Sequence, residues 1–222
     1  LADTVLIGAG TTERLKIDST GLYVNGSTTA LGGGGASDID GLSDASYTSS
    51  SSSLAIGENA VAGANSVSLG KQAGYSITTG SSNVILGRVS GYSTTTGSAN
   101  TFVGDGSAMM NTTGYSQVAV GMESLKNNTT GNRNTAVGRS TLQSNTTGVR
   151  NTAVGGSAME NTTNGYNNVA MGFEALRYNS QGVNNVAIGH EALRSQQTGQ
   201  ASTAVGSGAL RTTTTPTGKL SA

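Results

Sequence analysis

Few side chains in these 222 residues could do chemistry, and their spacing decides of what kind. Glu174 and Glu191 stand 17 positions apart, each followed three residues later by an arginine, Arg177 and Arg194. Two carboxylates about 5 Å apart would suit a retaining glycosidase, one as acid and one as nucleophile. The arginines favour a solvated column of ion pairs instead. His190 is the only histidine. A catalytic triad or a zinc site needs partners that the chain lacks, so His190 reads as an exposed corner residue.

Asp38, Asp40 and Asp44 run Asp-Ile-Asp-Gly-Leu-Ser-Asp. Alternate aspartates beside a glycine can surround a calcium ion, which wants several oxygens about a tight turn. The distal bidentate glutamate of the twelve-residue loop is missing, and a solvated acidic linker is the plainer reading. Repeated glycines occur without a Gly-Lys-Ser/Thr ending, so they make no phosphate loop. Asn-Thr-Thr at 111, 128, 145 and 161 matches glycosylation sequons, but reads first as turn sequence. The tyrosines at 75, 92, 115, 166 and 178 fall on three register positions; sugar stacking is conceivable for them, and surface spacing is the simpler account. The residues give no ground for a catalytic centre or a cofactor, and no enzyme is expected.

What must position all of these is a repeat. Gly70, Gly87, Gly104, Gly121, Gly138, Gly155, Gly172, Gly189 and Gly206 recur at steps of 17. A second column, from Gly80 to Gly199, keeps the same step. Fixed self-similarity of this length implies a solenoid. Glycines alternating at +10 and +7 give each coil two corners. The shorter arm carries a strand that opens on an amide, as at Asn134, Asn151, Asn168 and Asn185, and stacked amides can form a hydrogen-bonded ladder.

Alternation sends the second and fourth strand residues to one face and the third to the other. The fourth is always aliphatic or Met, and Leu125, Leu142, Met159, Leu176 and Leu193 follow the strand glycine by four. These two columns are expected to form the core. The third, mostly Ala, is expected on an outer face open to close approach. The longer arm, as in Glu174-Ala175-Leu176-Arg177, suits one helical turn or a second short strand. A coil with two or three large apolar side chains orders much backbone for little burial, which predicts pairing between chains.

Around the repeat, residues 1–36 read as a β-rich segment with a hairpin turning at Ser19-Thr20. Residues 37–53 read as a Gly/Ser/Asp linker, 54–210 as the solenoid and 211–222 as an exit segment. Net charge is zero with 11% charged residues, so neither nucleic acid nor an anionic membrane surface is an expected partner. No apolar run is long enough to insert in a membrane. Zero cysteines rule out disulfide staples. The first residue is Leu and no signal peptide is evident, which suggests a processed product or a piece of a longer chain.

Ser53-Leu54-Ala55-Ile56-Gly57-Glu58-Asn59-Ala60, with Asn65-Ser66-Val67-Ser68-Leu69-Gly70, resembles the head repeats of trimeric autotransporter adhesins, parallel β-rolls about a threefold axis. The Asn-Thr-Ala-Val-Gly-x-x-Ala-Leu units resemble repeats of phage tail fibres, as does Glu13-Arg14-Leu15-Lys16-Ile17-Asp18-Ser19-Thr20-Gly21. The resemblance implies an all-β parallel solenoid assembled as a homotrimer. The function it implies is a virion fibre shaft that holds a host-recognition tip, its partners itself, other fibre or virion proteins and a host-surface glycan or protein. The alternative is a bacterial surface adhesin whose repeats bind host or matrix ligands. The 17-residue unit is longer than adhesin-head repeats usually are, so each coil carries extra structure; no autotransporter membrane anchor is visible, which favours the phage fibre. An ice-binding solenoid is a minor alternative, because a flat face would need Thr-x-Thr where this chain has adjacent threonines at a turn. With no insertion between Gly70 and Gly206, the solenoid is expected to be a spacer without receptor specificity.

Overall fold

A computed structural model describes residues 51–212 and, ahead of them, the backbone of four strands. These are β1 (Val5–Ile7), β2 (Leu15–Asp18), β3 (Gly21–Val24) and β4 (Ala45–Thr48). β2 and β3 pair antiparallel with Asp18 opposite Gly21, the hairpin that alternating residues on either side of Ser19-Thr20 predict. β1 adds to β2 antiparallel. Within the stretch read as linker, β4 pairs antiparallel with the first solenoid strand, Tyr47 opposite Leu54. Asp38, Asp40 and Asp44 lie outside the described residues.

The solenoid is a parallel sheet of ten strands: β5 (Ser53–Ile56), β6 (Val67–Leu69), β7 (Val84–Leu86), β8 (Thr101–Val103), β9 (Val118–Val120), β10 (Thr135–Val137), β11 (Thr152–Val154), β12 (Val169–Met171), β13 (Val186–Ile188) and β14 (Thr203–Val205). After a first step of 13, Leu54 opposite Val67, registers advance by 17, with Ala136 opposite Ala119 on one side and Ala153 on the other. Three-residue strands suffice because each coil bonds its neighbours all the way round. Leu125 N–H donates to Thr141 O at 2.9 Å and Thr129 N–H to Thr146 O at 2.9 Å, both far from the sheet.

The two glycine columns serve different needs. Gly138 has φ +133°, and a Cβ there would stand 2.8 Å from the carbonyl of Gly155 in the next coil. Gly131 needs no unusual φ, but its Cβ would meet Gly148 O at 2.4 Å. One corner demands both the left-handed side of φ space and close approach, the other close approach alone.

The core is the reverse of the expected face. Ala119, Ala136, Ala153, Ala170, Ala187 and Ala204 point inward and are fully buried, against Leu125, Leu142, Met159, Leu176 and Leu193 from the opposite arm. The aliphatic fourth column, Val137 among it, faces out. A coil of 17 residues is too narrow for two large side chains to meet across it, so a leucine from one wall leaves room only for a methyl on the other.

Early coils solve the same packing problem the other way. The inward strand residues there are Ile85 and Phe102, both buried, and the opposite-arm positions shrink to Gly91 and Ala108.

The longer arm is neither helix nor strand. It is a run of turns, with Ser124 N–H donating to Gly121 O (3.3 Å) and Asn128 N–H to Leu125 O (3.0 Å). Glu123 (φ 58°) and Leu125 (φ 50°) are left-handed, and the pattern repeats at Ser140 and Leu142 and at Glu174 and Leu176. Reversal of φ at alternate residues keeps the arm open enough for its amides to reach the neighbouring coil, which a closed helical turn would not allow.

Candidate assembly surface

Inside each coil, polar side chains are consumed by stacking. Asn134 Oδ1 accepts the N–H of Asn151 at 3.0 Å, and Asn134 Nδ2 donates to Gly148 O at 2.8 Å. Asn151, Asn168 and Asn185 repeat this arrangement. The predicted ladder is therefore present, as a bond between side chain and backbone at each step. Direct amide–amide bonds join it from Asn168 Nδ2 to Asn151 Oδ1 (3.1 Å) and from Asn185 Nδ2 to Asn168 Oδ1 (3.0 Å).

A second ladder was not predicted. Asn128 Nδ2 donates to Asn111 Oδ1 at 2.8 Å, and Asn145 Nδ2 to Asn128 Oδ1 at 2.7 Å. All three are buried, so three of the four sequon asparagines are closed to modification. Their period of 17 was the available signal, hidden by the sequon pattern around it. The two ladders trade length where they meet: Ser202 is short in the first, and Gln196 reaches from the second to bond it at 2.9 Å.

The carboxylates on the longer arm form a zigzag. Arg177 bonds Glu174 at 2.5 Å and lies 2.7 Å from Glu160 Oε2, a contact of charges without hydrogen-bond alignment. Arg194 bridges Glu174 and Glu191, and Arg211 closes on Glu191 at 2.9 Å. Burial raises the Glu174 pKa, but the hydrogen bond from Arg194 and the charges of Arg177 and Arg194 outweigh it and hold the group below its ordinary value. Arg194 is pushed up, chiefly by the same bond to Glu174. The two glutamates weighed as an acid–nucleophile pair are clamped by arginines, so the expected ion pairs are present, but the column is less solvated than expected, with Glu174 buried. His190 is exposed and stacks on Phe173 one coil earlier, ring centres 5.7 Å apart. A cleft of about 250 Å³ between Arg88, Asp105, Met122, Glu123 and Lys126 likewise has its charges paired, Arg88 with Asp105 and Lys126 with Glu123.

Among the described residues, nothing packs on the outer face of the parallel sheet. Two residues per strand point out over ten strands, and each is Val, Leu, Ile, Met or Thr. No charge interrupts the face. Val84, Met171, Ile188 and Val205 are 38–49% exposed. Nine steps of ~4.8 Å make it about 43 Å long. A largely aliphatic strip of that length is uncommon on a monomer's surface. Its outward pairs include Thr-x-Val but never Thr-x-Thr. At the threonine corner, Thr95 Oγ1 turns back to Thr112 O at 3.2 Å, while Thr96 stays exposed.

No protein-family model matches the chain, and no curated protein or solved structure is significantly similar to it.

Proposed function

We propose that the chain is a structural, non-enzymatic shaft that associates with copies of itself through the outer face of β5–β14, as a homotrimeric phage tail fibre that holds a host-recognition tip away from the virion. The observation that carries the reading is the uninterrupted uncharged face. Burial of that face supplies what the thin interior lacks, since beyond its stacked amides each coil encloses little apolar besides one large side chain and several methyls. A second copy suits it better than an unrelated protein. Two solenoids with the same ~4.8 Å rise stay in step along the whole face, whereas a partner of any other period drifts out of register within a few coils.

The number three rests on the resemblance of the Ser53–Gly70 segment to adhesin heads, and the virion setting on that of the Asn-Thr-Ala-Val-Gly units to tail fibres. The interface is the valine face; the alanine column, expected to be the contact, is inside the coil. Val120→Lys with Val137→Lys puts two charges on this face and none in the core. The double variant should keep the far-ultraviolet spectrum of the parent while its sedimentation coefficient falls to that of a single chain. An unchanged coefficient would remove the face from the assembly.

A further inference from the structure

The repeat is unbroken in length but not in charge. Between residues 51 and 212 the chain carries six carboxylates, and each lies against a cation: Glu58 with Lys71, Asp105 with Arg88, Glu123 with Lys126, and Glu160, Glu174 and Glu191 with Arg177, Arg194 and Arg211. Three cations are left over among the described residues, Arg133, Arg139 and Arg150, and all three belong to two consecutive coils.

Arg133 and Arg150 occupy the same register position just ahead of β10 and β11. Both are exposed and both have left-handed backbones, φ 58° and 56°, so their side chains leave the two coils alike. One coil apart, they place like charges about 4.8 Å from each other at the backbone. Ser116 and Asn167 hold the same position in the coils on either side, so no carboxylate stands above or below. Arg139 flanks the other end of β10, with Met122 and Gly156 as its column neighbours. Stacked like charges are destabilising, and every other charged column in the solenoid compensates for them.

The surroundings define the kind of ligand. Arg133 lies over the ring of Tyr115, 5.8 Å from its centre, and Tyr115 is 42% exposed. Asn132 Oδ1 is engaged by Tyr115 N–H at 2.9 Å, which leaves its amide N–H groups to point elsewhere. Guanidinium forks bind carboxylates bidentately. An open tyrosine ring and an amide suit the apolar faces and hydroxyls of a sugar. Three charges spread over two coils are too few to hold a nucleic acid backbone by counter-ion release.

We infer that Arg133 and Arg150, beside Tyr115, form an anion-binding patch on the solenoid for a carboxylated polysaccharide. The inference is independent of the fibre reading, since it requires only the coil geometry. Arg133 and Arg150 take one sugar carboxylate between them, and Tyr115 the ring beside it.

The test uses the full chain and polygalacturonate, with neutral dextran, duplex DNA and polyglutamate as comparison polymers, at about 0.05 and 0.2 M salt. Polygalacturonate should bind, dextran should not, and DNA and polyglutamate should bind at least about tenfold more weakly. Arg133→Gln with Arg150→Gln should weaken polygalacturonate at least about tenfold, a loss fitted to two charge-assisted contacts. Lys71→Gln, a cation lost elsewhere on the surface, should change it less than about twofold. Circular dichroism of each variant should match the parent. No binding of polygalacturonate at the lower salt would overturn the site. So would equal binding of all three polyanions, or equal losses in both variants, since either means unspecific attraction. A change in oligomeric mass with polymer binding intact would assign the arginines to contact between copies and refute the proposal.

Discussion

Gly91 makes room for Phe102. A Cβ at position 91 would stand 3.0 Å from Phe102 Cδ2 and 3.2 Å from Ile85 Cδ1, and the ring of Phe102 is fully buried in that space. The interior of the solenoid is one narrow channel, and each large side chain in it is matched by a small one on the facing arm.

Phe102→Ala should therefore cost about 3–5 kcal/mol, because the ring leaves a cavity that the coil cannot collapse around. Ala108→Leu alone should cost about 1–3 kcal/mol by overpacking. Together they reproduce the pairing of Ala119 with Leu125 one coil later. Position 108 already has the left-handed backbone of Leu125, φ 46° against 50°. The double variant should recover more than half of the summed loss in urea unfolding. Additive losses would show that the two positions do not share a volume.

The coil length, both glycine columns and the first amide ladder were legible, because a period of 17 repeated over so many units admits no other register. Which face of the strand turned inward was not. Alternation separates Ala136 from Val137 but does not orient them, and hydrophobicity alone ranks Val above Ala for burial. The deciding constraint is the volume set by Leu142 across the channel. That constraint was present in the sequence, in Ile85 and Phe102 appearing at the inward position where the leucine column gives way to Gly91 and Ala108. The turn-built long arm was not legible, since Glu123 and Leu125 carry no sign of positive φ.

The second amide ladder breaks at one residue. Thr162 stands where Asn111, Asn128, Asn145 and Asn179 stand in other coils, and Asn145 Oδ1, Thr162 Oγ1 and Asn179 Nδ2 are buried without a hydrogen-bond partner. Thr162→Asn should satisfy the two asparagines at once and stabilise the fold by about 1 kcal/mol or more. Asn128→Ala, in the intact part of the ladder, should destabilise it by about 1–3 kcal/mol. Thermal unfolding of the two variants compares them directly. A destabilised Thr162→Asn would mean that the break has a packing role that the ladder does not describe.

The zigzag of ion pairs predicts an acid limit. Glu174 has a folded-state pKa below its unfolded one. Its contribution to stability is thus complete above the ordinary glutamate value of about 4.3 and is lost as pH falls through the lower folded value. Urea midpoints should drop as pH falls below the ordinary glutamate value of about 4.3 in the parent, and less steeply in Glu174→Gln, which has no proton to take up. Parallel pH profiles would place the acid sensitivity elsewhere.

The central claim is that the outer sheet face is covered by further copies of the chain. Sedimentation equilibrium of the unmodified chain at micromolar concentration measures this most directly, because mass there does not depend on shape. One chain is 22.0 kDa. The account predicts a single species of three chains, about 66 kDa, with no monomer at the dilute end of the cell. A species of 22.0 kDa throughout, with the coil fold intact by circular dichroism, would contradict it.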